Sequence, residues 1–210
     1  MNKYLAKGLS VIAHPVFINL LCLYILFDFF PQLSAGLPLK VQLFYVGFIF
    51  MLSSLVPIIL VMAMRLTGKI ESIHLQHKQE RNLPYFFTLI MYVFIFYNFY
   101  KSASTSPFIL SYLLACMLIL FSVFIVNYFT KISIHLATLG AAAGLMASAG
   151  FFGFLDVRYL LILFIIFSGM VATARLSLNA HIPNQIYLGF CLGFVCMFLC
   201  MNMSYLFLIF

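Results

Sequence analysis

The 210-residue chain holds only four acidic residues and no tryptophan. The four acids, Asp28, Glu71, Glu80 and Asp156, are scattered and never paired. Hard divalent cations are held by clustered carboxylates, so this scarcity argues against a magnesium or calcium site and against any other metal cofactor. It also disfavours prenyl transfer, which needs aspartate-rich motifs for magnesium pyrophosphate. Charged residues make up 7% of the chain, too few to solvate the surface of a water-soluble domain. No C-x-x-C pair occurs. Cys22, Cys116, Cys191, Cys196 and Cys200 all fall inside apolar runs and read as packing residues, without a disulfide framework. Segments of about ten residues with alternating polarity, the mark of a transmembrane barrel, are missing as well.

What is present is long apolar sequence. Hydrophobic residues make up 66% of the chain and the mean hydropathy is +1.17. Seven runs, at about 9–30, 42–64, 85–101, 108–129, 134–154, 157–173 and 186–208, are each long enough to cross roughly 30 Å of hydrocarbon, the third being the shortest. The third and fourth have re-entrant or interfacial placements as alternatives. No linker or composition shift divides the chain. The expected architecture is therefore all-α: a polytopic helical membrane protein of six or seven transmembrane helices in one domain, 1–210. Lys3 and Lys7 precede a first run too long for a signal-peptide core, so it is expected to stay as a helix. The 26 Phe and 12 Tyr suit lipid-facing and interfacial packing. The net charge of +7 sits at the ends of apolar runs, which suits lipid headgroups or phosphates rather than nucleic acid. No cofactor is implied.

Three polar clusters punctuate these runs: Lys78 and Arg81 after the second, Lys131, Ser133 and His135 before the fifth, and Arg175, His181 and Gln185 before the seventh. An even number of crossings separates each from the next, so all three share one membrane face. The fifth and seventh runs carry Gly140-x-x-x-Gly144 and Gly189-x-x-x-Gly193. Small residues at this spacing let helix backbones approach closely, which would bring the second and third clusters together. Ionisable groups near membrane depth are costly and usually mark a site. Arginine and lysine neutralise phosphate oxygens, one imidazole can attack phosphorus, and a second can protonate the departing alcohol.

The stretch "ARLSLNAHIPNQIYLG" (174–189) resembles the third motif of the type 2 phosphatidic acid phosphatases, S-R-x-x-x-x-x-H-x-x-x-D, with Arg175, His181 and Gly189 at the family's spacing. "ISIH" (132–135) keeps the serine and histidine of the second motif, P-S-G-H, and "KQERNLP" (78–84) is a loose form of the first. The matches cover about 110 residues, in the family's order. The resemblance implies a phosphatidic-acid-phosphatase-like helical core. By the same resemblance, His181 is the nucleophile that forms a phosphohistidine and His135 the general acid. Lys78, Arg81, Ser133 and Arg175 hold the phosphate, Gln185 orients His181, and no metal takes part. The partner is then a membrane lipid, a lipid phosphate or pyrophosphate.

Several positions depart from the family. Its final aspartate is Gln185 here, which can accept a hydrogen bond but brings no negative charge, unless Glu80 or another acid reaches the ring. The serine of the third motif is Ala174, and the proline and glycine of the second are Ile132 and Ile134. About 45 apolar residues separate motifs that the family keeps in one loop.

Three readings follow. The first is a metal-independent lipid phosphatase or phosphotransferase. The second is a catalytically impaired relative that binds a phospholipid or lipid carrier. The third is an unrelated membrane protein in which the clusters do not converge. His14, beside Pro15, reads as a helix–helix contact at a bend or helix start. His74 and His77 read as solvated loop residues, and Arg65 and Lys69 as membrane anchors. Eight of the eleven Lys and Arg fall on the motif face by parity, and four against three remain once Lys78, Arg81, Lys131 and Arg175 are removed. The positive-inside rule then leans towards a cytoplasmic site in a bacterial inner membrane.

Overall fold

The structure, a computed structural model, describes residues 1–28, 37–72, 75, 77–102, 105–151 and 157–209. His74 and Asp156 lie outside the described residues, as does the side chain of Asp28. Among the described residues the chain is helical, without strands. The helices are α1 (Lys3–Ile12), α2 (Pro15–Asp28), α3 (Leu39–Phe50), α4 (Val56–Leu66), α5 (Asn82–Lys101), α6 (Pro107–Phe129), α7 (Ile134–Phe151), α8 (Arg158–Ser177) and α9 (Pro183–Ile209). A π-helical turn, Met51–Leu55, joins α3 to α4, and a short 3-10 turn, Gln79–Arg81, leads into α5.

Five helical stretches among the described residues are long and apolar enough to cross a membrane: Leu39–Leu66, Gln79–Lys101, Pro107–Phe129, Arg158–Ser177 and Pro183–Ser204. The pair α1–α2 makes a sixth if its two bent halves count as one crossing. These helices make an integral membrane protein of the chain. The third and fourth apolar runs, for which re-entrant placements stood open, are full-length helices. Two runs differ from the seven uniform segments expected. The first is broken, with α1 and α2 meeting at 45°. Pro15 has no N–H and begins α2, so the helical ladder cannot run through it. The fifth run forms α7, whose apolar part, Ile134–Gly150, is shorter than the others. It packs against α2, α8 and α9, and its alanines and glycines are mostly buried.

The tightest packing joins α7 to α9. A Cβ placed on Gly189 would lie 2.6 Å from the carbonyl oxygen of Ser133, and one on Gly144 would lie 2.5 Å from that of Phe194. Gly140 and Gly193 sit equally close to the opposing backbone. Both sets of small residues singled out in the sequence therefore face each other, and nothing larger than glycine fits the seam. The Ser133 N–H donates to the Gln185 carbonyl across its upper end, at 3.3 Å. Helix directions alternate, so the starts of α5, α7 and α9 and the ends of α6 and α8 lie at one end of the bundle. That end carries all three polar clusters.

Candidate functional site

His181 sits in the turn between α8 and α9. The turn is built by local chemistry. Asn179 takes a left-handed backbone, φ 52°, which asparagine tolerates better than most residues. Its N–H donates to the Leu176 carbonyl at 2.9 Å, and the Ala180 N–H donates to that of Arg175 at 3.0 Å. These two bonds make a Schellman-type helix end. Pro183 then starts α9, and His181 is left between the two helices, 6% exposed.

The ring of His181 is held on one side. Its Nδ1 lies 3.1 Å from the carbonyl oxygen of Lys131 and 3.2 Å from Oε1 of Gln185. Gln185 is itself fixed. Its Oε1 accepts the Ile182 N–H at 3.3 Å, and its Nε2 donates to the Thr130 hydroxyl at 3.2 Å. Both neighbours of Nδ1 are thus oxygen acceptors, so Nδ1 carries the proton and Nε2 keeps its lone pair in the neutral ring. Burial, then the charges of Arg81 and Arg175, push the imidazole down from its ordinary 6.5 to about 4. The ring is therefore neutral across the physiological range.

The cations gather around this ring. Arg81, 6% exposed at the start of α5, donates through Nε to the Leu75 carbonyl at 2.9 Å and lies near Tyr85. Arg175, in the last turn of α8, reaches the Ser10 hydroxyl with Nη1 at 3.5 Å, while its buried Nε has no partner. Ser133 is fully buried, and its hydroxyl also has no partner. The Lys131 ammonium is held below its ordinary value by partial burial and by Arg81 and Arg175. His135, second residue of α7, is close enough to Arg175 and His181 for their charges to act on it.

Arg81, Ser133, His135, Arg175, His181 and Gln185 are thus brought to one end of the bundle, drawn from three separate helical junctions. Lys78 goes elsewhere: its ammonium donates to the Tyr128 carbonyl at 2.9 Å, at the exposed end of α6. Lys131, two residues before Ser133, is the lysine that shares the field of the arginines. Among the described side chains no acid forms an ion pair with these arginines, although Glu80 lies within range of the Arg81 charge. Glu80 accepts the N–H groups of Glu71 and His77, each at 3.1 Å, and so ties down its own loop. Glu71 and the exposed His77 lie 3.8 Å apart. Among the described residues, no group of three or more His, Cys, Asp or Glu converges to hold a metal ion.

Three residues that the motifs did not pick out join this end: Ser10, His14 and Tyr85. The His14 and His135 rings meet edge to face, centroids 5.8 Å apart at 89°. The hint for His14 lay in "AHPV", because a proline-induced break leaves backbone groups without helical partners. The gathered cations and the partnerless Ser133 hydroxyl are groups of the kind that receive an anion. No family model, curated protein or solved structure matches the chain.

Proposed function

We propose that the chain is a divergent type 2 phosphatidic acid phosphatase that hydrolyses or transfers the phosphoryl group of a lipid phosphate or pyrophosphate. The observation that carries this reading is the His181 ring, with Nδ1 committed to two oxygen acceptors and Nε2 left as a nucleophile among arginines. In the first step Nε2 attacks phosphorus, the bond from phosphorus to the leaving oxygen breaks, and His135, charged to the imidazolium when the phosphate anion is bound beside it, gives that oxygen a proton and becomes neutral. In the second, water attacks phosphorus, the P–N bond breaks, and the water's proton returns to His135. Arg81, Arg175 and the Ser133 hydroxyl hold the phosphate oxygens, with Lys131 in the place that the sequence motif allots to Lys78. No metal takes part in either step. The proposed setting is a bacterial inner membrane with the site on the cytoplasmic face. Labelling of a Lys69→Cys variant by an impermeant maleimide in inverted but not right-side-out vesicles checks this.

Gln185 favours a second reading, a relative that binds a lipid phosphate without cleaving it. The amide orients His181 but supplies no charge to offset the cation that forms on its ring. The deciding experiment is phosphate release by purified protein from a panel of lipid phosphates and pyrophosphates, with EDTA present. Release that persists in EDTA and falls at least about a thousandfold in His181→Ala supports histidine-based hydrolysis. Binding without release on every substrate supports the second reading.

A further inference from the structure

Asn127 lies in the last turn of α6 and is 1% exposed. Its Nδ2 donates to the Lys78 carbonyl at 2.8 Å and to Oδ1 of Asn82, also at 2.8 Å. Two oxygen acceptors on one amide atom identify it as the nitrogen, and both of its hydrogens are used. Lys78 and Asn82 stand immediately before and after the 3-10 turn Gln79–Arg81. One buried side chain of α6 therefore grips both ends of the turn that carries Arg81. The Lys78 ammonium adds a tie to the Tyr128 carbonyl, in an exposed position. The amide oxygen of Asn127 is buried with no partner, a cost that an apolar side chain of the same shape would avoid. Shape alone does not call for asparagine here; the two donations do.

The residues just after Asn127 hold the other half of the site. The Thr130 hydroxyl accepts Nε2 of Gln185 at 3.2 Å, and the Lys131 carbonyl faces Nδ1 of His181 at 3.1 Å. The short segment 127–131 is thus bonded to the Arg81 turn at one end and to the His181 ring at the other. On its far side the Arg81 turn is held by its own loop, through Glu80 to the Glu71 and His77 N–H groups and through Arg81 Nε to the Leu75 carbonyl. Asn127 is the buried tie between that loop and the rest of the site.

We infer that Asn127 is a positioning residue of the phosphate site, holding the turn of Arg81 in a fixed place relative to the His181 ring. The inference rests on the phosphate-site reading for its functional consequence, but not for its structural one. Asn127 acts through Arg81. Its two bonds flank that residue, so losing them frees the turn on the α6 side and leaves the hydrogen bonds of His181 intact. A donor already held in place binds more tightly than one that must be ordered on binding.

Two measurements test this together. The first uses protein labelled with 15N-arginine and 15N-histidine, in lipid nanodiscs without any ligand. The Arg81 Nε–H signal, protected by its bond to the Leu75 carbonyl, broadens or vanishes in Asn127→Leu. The His181 ring signal stays in place and reports that the fold has survived. An unchanged Arg81 signal in Asn127→Leu overturns the inference, whatever the protein's activity. The second is a double-mutant cycle on the affinity for inorganic phosphate, read by calorimetry. Asn127→Leu weakens binding about tenfold, and Asn127→Leu combined with Arg81→Ala binds no more weakly than Arg81→Ala alone. Additive losses would assign Asn127 a general packing role and overturn the inference. If Asn127→Leu fails to fold, the half-buried Asn82→Ala removes one of the two acceptors instead. It broadens the Arg81 signal and weakens phosphate binding about threefold, and no change in either overturns the inference. A wild type that binds no phosphate defeats the reading of the site, and the Arg81 signal still decides the role of Asn127.

Discussion

Midway along the bundle, the Tyr112 hydroxyl donates to Oδ1 of Asn19 at 2.6 Å, and Cys116 lies 3.9 Å from the same oxygen. Ser53 and Ser54, in the π-helical turn, lie 3.4 Å apart through their hydroxyls. Apart from the Asn19 amide nitrogen, which has no partner, these groups answer one another, and none is formally charged. At the end of the bundle the reverse holds. Arg81, Arg175 and Lys131 repel one another, and the hydroxyl of Ser133 and Nε of Arg175 are buried without partners. A buried polar group without a partner costs about 1–3 kcal/mol. Polarity differs between the two places: neutral groups that mostly pair with one another in the first, clustered cations that do not pair with an acid in the second.

The sharpest way to press this comparison is to supply the missing charge. Gln185→Asp should raise kcat for phosphate release about a hundredfold or more, a part of the roughly ten-thousandfold that a comparable carboxylate is worth in a serine-protease triad. Steady-state release assays read this directly, and no gain would mean that charge at residue 185 is not what limits the enzyme. Next in size, Arg175→Ala should weaken binding of inorganic phosphate about 10- to 100-fold, as measured by calorimetry, since a charge-assisted hydrogen bond is worth about 1.5–3 kcal/mol. Tyr112→Phe should leave that affinity alone and lower stability by about 1 kcal/mol. If instead Tyr112→Phe weakens phosphate binding, the two polar regions are coupled and the contrast between them fails.

Acidity separates them too. His181 in the fold is held at about 4, below its unfolded value near 6.5. Its depressed value favours the neutral ring, so the stability it contributes is in place above pH 6.5. That stability is lost as the pH falls from 6.5 towards 4. The acid limb of kcat/KM should accordingly lie near pH 4 rather than 6.5, and saturating phosphate should move it upward, since an anion favours the charged ring. The smallest expected effect concerns the two lysines. Lys78→Ala should change phosphate affinity less than about twofold, and Lys131→Ala about tenfold, because an exposed pairing is worth little and a partly buried one more.

Much of this was legible in the sequence. Long apolar runs marked the helices, the parity of crossings placed three clusters at one end, and spaced glycines foretold the α7–α9 seam. What escaped depended on distances that spacing does not encode. Lys78 and Tyr128 are 50 residues apart, and only the approach of α5 to α6 makes a backbone carbonyl the nearer partner. The π-helical turn at Met51–Leu55 has no periodic signature, because one extra residue in a uniformly apolar run changes no pattern. His14 looked like an isolated histidine because its partner, His135, lies on another helix.

The glycine seam between α7 and α9 also orders the making of the site in time. α7 and α8 follow one another in the chain, and α9 comes after both. As the chain is threaded into the bilayer, the helix bearing His135 is in place before the one that follows His181. Until α9 closes against α7, Ser133 has no Gln185 carbonyl to bond and His181 has no fixed ring. On the phosphatase proposal, a half-inserted chain would be inert towards the lipids around it, with reactivity beginning only when the last pair of backbones locks.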